Sequence, residues 1–266
     1  MSTAGDISAP VEYLLQLADN ALILGQRNAE WTGHGPVLEE DIALANISLD
    51  LIGQARLAYQ HAAARAGNGA TEDTLAYFRD PHQFRNYTLV ELPHHGPLAG
   101  TAAADRDYAT TIARNFLYSA FMLLLWDALQ ASKDGQLAAI AAKSLKETRY
   151  HLRHARDWVV KLGDGTAESQ RRMQAAFDHL LPYTQEFWTA SPQEEQAVRD
   201  GTGVDTATLR DAWEREVAET LREATLKLPA AAGHVTRGKA GLHSEHLGYV
   251  LAEMQSLARQ HPGATW

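Results

Sequence analysis

The chain has 266 residues, 24 Lys+Arg against 33 Asp+Glu and a formal charge of −9. That length supports a substantial core, and 45% hydrophobic with 21% charged residues places the chain among ordinary globular proteins and excludes wholesale disorder. The acidic balance argues against a nucleic-acid groove, and the absence of cysteine removes disulfides, thiolate nucleophiles, Cys-ligated zinc and Cys-ligated iron–sulfur clusters.

The amino terminus, MSTAGDISAP, has neither a basic start nor an apolar stretch, so no signal peptide is expected. No membrane span is expected either. The most apolar run, FLYSAFMLLLWDAL, is shorter than the roughly 20 apolar residues that spanning needs, and it contains Asp127. The expected setting is cytoplasmic.

Proline is missing between Pro36 and Pro81 and between Pro97 and Pro182, which leaves two long windows free of the strongest helix breaker. Within them apolar residues recur at three- and four-residue spacing. Leu38, Ile42, Ala45, Leu49, Ile52, Arg56 and Tyr59 form one such face. Alanine is abundant and β-branched runs are rare, so the fold class is all-α.

In chain order the pattern predicts helices over 10–29, 38–66, 105–131 and 136–161. Three more follow at 167–190 (interrupted at Pro182), 206–227 and 244–260. Asp105 is the expected start of the third, Asp134-Gly135 separates third from fourth, and Gly163-Asp164-Gly165 closes the fourth. Long helices with short turns pack as antiparallel neighbours, and the irregular stretch FRDPHQFRNYTLVELPHHGPLAG sits where a long crossover joins the two helix pairs. The expected architecture is a ferritin-like four-helix bundle with additional C-terminal helices, in a single domain over 1–266.

Such a bundle invites one test. Di-iron carboxylate proteins place a Glu on each of two helices and a Glu-x-x-His on each of the other two, so that carboxylates and imidazoles converge on one metal pair. Here Glu147 is followed at i+3 by Tyr150 and at i+4 by His151. Asp50 is followed by Gly53 and Gln54, and neither replaces an imidazole. The first helix offers Asp19 and Asn20, the third Asn115, Ser119 and Asp127. None of the four bundle helices carries a Glu-x-x-His motif. Asp19, Asp50, Gln54, Glu147 and His151 read as a hydrogen-bonded polar network, with Tyr150 in the place of a ligand, and Gly53 as a point of close helix approach. A surface pair of Glu147 and His151 stands as the other reading. So does an unconventional metal pair held by Asp19, Asp50, Glu147 and His151.

Other candidates are thinner. His243, Glu245 and His246 lie at a helix start that Ser244 is expected to cap, with no third strong zinc ligand nearby. His94-His95 lies in a Pro/Gly-flanked loop expected to be solvated. There is no G-x-S-x-G elbow and no phosphate loop, since AGNGA lacks the lysine. The segment YFRDPHQFRNY gathers Arg79, His82, Gln83, Arg85 and Asn86 among rings. That composition suits a phosphate and an adenine face, and equally an ordinary crossover turn. Trp126, Trp158, Tyr150 and Phe121 are candidate core or interface anchors.

The segments QRNAEWTGHGPVLEEDIALANISLDLIGQAR, DTLAYFRD, QLAAIAAKSLKETRYHLRHARDW, LRDAWEREV and GLHSEHLGYVLAEMQSLARQHPGATW closely resemble the C subunits of bacterial phenylacetyl-CoA epoxidases, also called phenylacetate-CoA oxygenases. The resemblance runs through almost the whole chain. It implies a structural subunit, not itself catalytic and without a metal of its own, that pairs with a related A subunit holding a di-iron centre. A small B subunit and a reductase carrying flavin and an iron–sulfur cluster are further implied partners. The implied reaction epoxidises the ring of phenylacetyl-CoA with O2 and NADPH in aerobic phenylacetate breakdown. The resemblance also implies contact with a CoA ligand near Gln83, Phe84, Arg85 and Asn86 and near Glu195, Gln196 and Ala197. The competing expectations are an independent ferritin-like oxidoreductase and a helical adaptor unrelated to oxygenation.

Overall fold

The computed structural model describes residues 7–96, 106–230 and 235–264. Ten α-helices are found among them: α1 (Val11–Ala29), α2 (Leu38–Ala66), α3 (Glu72–Tyr77), α4 (Thr88–Glu91), α5 (Tyr108–Leu129), α6 (Gly135–Gly163), α7 (Ala167–Leu180), α8 (Pro192–Asp200), α9 (Arg210–Glu223) and α10 (Glu245–Gln260). No strand occurs among the described residues, and the one isolated bridge joins Arg237 to Leu242.

Two antiparallel hairpins, α1–α2 and α5–α6, form the bundle, and α2 packs against α6. The crossover between the hairpins carries α3 and α4, which is the long connection of a ferritin-like bundle. Helices α7 and α9 buttress α5 and α6, while α10 lies over α3, α4 and the crossover. Asp134 fastens the bundle's end. Its carboxylate accepts from the Leu137 N–H to cap α6, and from Ala9 N–H and His61 Nε2 at 2.8 and 2.7 Å.

Sequence and structure differ at several places, each with a physical reason. The helix that begins at Ala167 changes to a 3-10 turn over Leu181–Trp188, because Pro182 has no N–H to continue the α pattern. Helix α8 has no counterpart among the helices expected from periodicity. Asp105 lies outside the described residues, and Asp107 caps α5 by accepting from the Ala109 N–H. By length and composition α5 is apolar enough to cross a membrane, contrary to the sequence reading. Its apolar window is 78% buried within the bundle, which is how the core helix of a four-helix bundle looks. Phe121 and Trp126 on it are fully buried core residues, whereas Tyr150 on α6 is exposed.

The apolar face read along α2 turns mainly outward. Leu44, Ile47, Leu51, Ala55, Ala58 and Ala62 face the core, whereas Leu38, Ile42, Leu49 and Ile52 are exposed and only Tyr59 of the predicted stripe is buried. Helix α2 carries two apolar stripes, and periodicity alone does not say which one the chain itself covers. Gly53 lies beside the outer stripe. A Cβ there would meet nothing within 4 Å, so no helix among the described residues approaches closely at that point.

Candidate functional site

The polar residues of α2 and α6 meet as three rungs along the seam between the two helices. Gln54 donates to Glu147 at 3.0 Å, His151 Nε2 faces the Asp50 carboxylate at 3.0 Å, and His154 Nε2 faces Glu40 at 2.8 Å. The spacing of Glu147, His151 and His154, i, i+4 and i+7, puts all three on one helix face. Glu40 also accepts from the Tyr108 hydroxyl of α5 at 2.6 Å. Burial works to raise the Glu40 carboxyl's pKa, but the donors Tyr108 and His154 outweigh it and leave it below the usual carboxylate range. Tyr108 is held protonated by burial first, then by its hydrogen bond to Glu40 and by the Glu40 charge.

These rungs do not fit a di-iron centre. Glu40 and Asp50 are ten residues apart on α2, about 15 Å along the axis, whereas a metal pair needs its carboxylates converging on a space of a few ångströms. Each carboxylate is already bonded to a side chain across the seam. Among the described residues no group of three or more His, Asp or Glu side chains is arranged to hold a metal ion. Between α1 and α5 the buried polar contact is a reciprocal amide pair, Asn28 Nδ2 to Asn115 Oδ1 and the reverse, at 2.8 and 2.9 Å. It is neutral and offers no anionic ligand.

Asp19 does not join the seam. It is fully buried and accepts from Tyr59 at 2.5 Å, from the Arg85 N–H at 2.7 Å and from both terminal nitrogens of Arg79. The network expected from Asp19, Asp50, Gln54, Glu147 and His151 therefore resolves into an α2–α6 seam and a separate crossover anchor. Tyr150 stands outside both, with the Arg153 guanidinium 5.6 Å above its ring.

The crossover residues also turn inward. Arg79 lies over the buried Phe84 ring at 4.2 Å and donates to the Gln83 carbonyl. Arg85 pairs with Glu12 at 2.8 Å, and the buried Asn86 donates to Glu91 at 2.8 Å. Gln83 is exposed and caps its own turn by accepting from the Asp80 N–H. In α8, Ala197 is buried, Glu195 and Gln196 are exposed, and Gln196 donates to Asp200 at 2.8 Å. The two segments meet through neighbours that sequence reading passed over. Gln16 donates to Glu194 at 2.8 Å and to the Tyr87 hydroxyl at 3.3 Å, and the buried Lys239 ammonium reaches Glu194 at 2.7 Å.

Two histidines correct the sequence expectations. His94 is buried. Its Nδ1 lies 3.0 Å from the Trp31 indole N–H and 3.0 Å from Arg114, both of which can only donate, so Nδ1 is an acceptor and the ring is neutral. Burial and the nearby Arg114 charge take its pKa down to about 4, against the pull of Glu30. His243 has the opposite environment: Nδ1 faces Glu91 at 2.8 Å and Nε2 faces the Phe84 carbonyl at 3.0 Å, so both nitrogens donate and the imidazolium fits. Burial lowers its pKa, but Glu91 outweighs burial and the net shift is upward. Ser244 makes no side-chain cap; its N–H donates instead to Glu91 at 2.6 Å.

The family model for phenylacetic acid catabolic proteins matches residues 1–266. The chain belongs to that family. Among the relatives, the C subunit of the 1,2-phenylacetyl-CoA epoxidase of Escherichia coli (strain K12) is 48% identical over 254 residues, covering 96% of this chain and 98% of the relative. The family assignment and the helical architecture agree with what the sequence segments implied.

Proposed function

We propose that this chain is the structural C-type subunit of a phenylacetyl-CoA epoxidase, supporting a related di-iron A-type subunit that carries out oxygen activation. A small B-type subunit and a flavin and iron–sulfur reductase complete the proposed assembly, which converts phenylacetyl-CoA, O2 and NADPH to the ring-1,2-epoxide. The observation that carries the reading is the α2–α6 seam. In a bundle of an oxygenase family, every seam carboxylate is bonded to a neighbouring side chain and none converges on a metal pair.

The chain's own chemistry is then mechanical. The Asp19–Arg79–Tyr59 anchor and the Glu91–His243 pair hold the crossover against the bundle, and the seam fixes α2 relative to α6. A rigid bundle of this kind orients a partner's helices without taking part in bond making. If the assembly's CoA ligand reaches this chain, Gln83, Glu195 and Gln196 are the exposed positions of the two candidate segments.

The test is to purify the chain alone and with its A-type partner from the same organism, then measure iron and phenylacetyl-CoA epoxidation with reductase and NADPH. The expected result is negligible iron and turnover for the lone chain, and turnover restored to the A-type subunit when this chain is added. Near two irons per lone chain with O2 consumption would favour the independent oxidoreductase instead. Full turnover by the A-type subunit alone would remove the supporting role.

A further inference from the structure

The proposed function leaves one large surface unused, the outer face of α2 and α6. Leu38, Ile42, Leu49 and Ile52 on α2 are 71, 51, 66 and 40% exposed, a stripe of large apolar side chains along one helix. Exposed singly, such residues need no explanation; aligned at helical spacing, they mark a contact surface. Tyr150 adds an exposed ring from α6.

Two further observations say what kind of surface covers it. First, α6 carries Lys143, Lys146, Arg149, Arg153, Arg156 and Lys161 against only Glu147 and Asp157, in a chain whose formal charge is −9. Lys146, Arg149 and Arg153 project from the same outer face as Tyr150 and have no carboxylate partner among the described residues, whereas Lys143 and Arg156 are ion-paired. A basic ridge left unpaired beside an apolar stripe complements an apolar surface with an acidic rim. Second, Gly53 sits within α2 with open space where its side chain would be. Glycine inside a helix is unfavourable relative to alanine, and nothing among the described residues crowds it there, so the flat spot suits a backbone arriving from outside.

The dimensions agree. Both helices have 29 residues, about 44 Å at 1.5 Å per residue. Two such helices side by side offer on the order of 800 Å², the area each partner contributes to a stable interface.

We propose that the outer face of α2 and α6 docks the A-type subunit, which presents an apolar helical face with an acidic rim and passes closest over Gly53. This rests on the pairing stated under the proposed function and adds the face, the charge sign and the point of closest approach.

The test is equilibrium binding of the purified chain to the purified A-type subunit by sedimentation at low and high salt. Leu49→Asp is expected to weaken binding at least 100-fold. Arg149→Glu with Arg153→Glu is expected to weaken it about tenfold and to flatten its salt dependence. Tyr249→Asp, on the exposed side of α10, is the control and is expected to bind as wild type. Hydrogen exchange on the unmodified pair gives a readout that does not depend on a variant folding: added protection is expected over 42–53 and 146–153.

If wild type binds, both face variants bind within threefold of it and protection falls elsewhere, the face is wrong while the proposed function stands. If the wild-type chain does not bind the A-type subunit at all, the proposed function fails. If the lone chain forms a dimer that Leu49→Asp dissolves, a second copy is the occupant and the proposal is overturned.

Discussion

Glu40 of α2 receives two donors from two different helices, the Tyr108 hydroxyl at 2.6 Å and the His154 imidazole at 2.8 Å. A carboxylate held in this way is not free to reorganise around an incoming cation. Ferrous iron added to the purified chain should therefore leave its melting temperature unchanged within about 1 °C, because a ligand stabilises only in proportion to its binding. Glu40→Gln should cost about 1–2 kcal/mol by leaving its donors less well matched. A rise of several degrees on adding iron to wild type, lost in Glu40→Gln, would mean that the seam does take metal.

The Asp19 anchor should behave as a buried ion pair. Asp19 is fully buried, Arg79 nearly so, and Tyr59 and the Arg85 N–H complete the carboxylate's contacts. Asp19→Asn should destabilise by about 3–5 kcal/mol in urea unfolding, since it strands the Arg79 charge away from water. Tyr59→Phe, which removes one neutral donor and keeps the ring, should cost about 1–2 kcal/mol. Equal costs for the two would show that Arg79 finds another partner.

How much of this is readable in the sequence differs by element. The bundle helices are, because their proline-free windows are long and repeat the apolar spacing many times. The α8 start is readable too: Ser191, Pro192 and Glu194 form a capping box with proline at the first helical position, a local signal needing no tertiary knowledge. The His94 environment is not. Its partners Trp31 and Arg114 come from 63 and 20 residues away, and a Pro/Gly-flanked histidine pair looks the same on a solvated loop. The lack of Glu-x-x-His motifs on the bundle helices is plain in the sequence. The pairing that replaces them, with Glu40 opposite His154, depends on how α2 and α6 align.

His94 and His243 bracket the pH range of greatest stability. His94 titrates at about 4 in the folded chain against an ordinary 6.5. Between those values the unfolded chain takes up a proton that folded His94 refuses, so stability falls as pH drops through 6.5 toward 4, by on the order of 3 kcal/mol. His243 has a raised folded pKa, so its contribution is fully present below 6.5 and is lost as pH rises through that raised value. Urea midpoints measured across pH should form a dome. His94→Gln should flatten the acid side and His243→Asn the alkaline side; a profile that neither substitution alters would show that other groups set it.

Two glycines should respond to alanine in opposite ways. Gly241 has φ +79°, and an added Cβ would fall against the His82 carbonyl oxygen, a backbone atom of the crossover. Gly241→Ala should therefore destabilise by about 1–3 kcal/mol, combining a left-handed backbone with a clash. Gly53 is helical and faces open space, so Gly53→Ala should stabilise the lone chain by about 0.5–1 kcal/mol. Stabilisation of the lone chain by Gly53→Ala would show that α2 does not need this glycine for its own packing. Loss of stability on Gly53→Ala in the lone chain would show instead that α2 needs it for its own packing, and would take away the point of closest approach assigned to the partner.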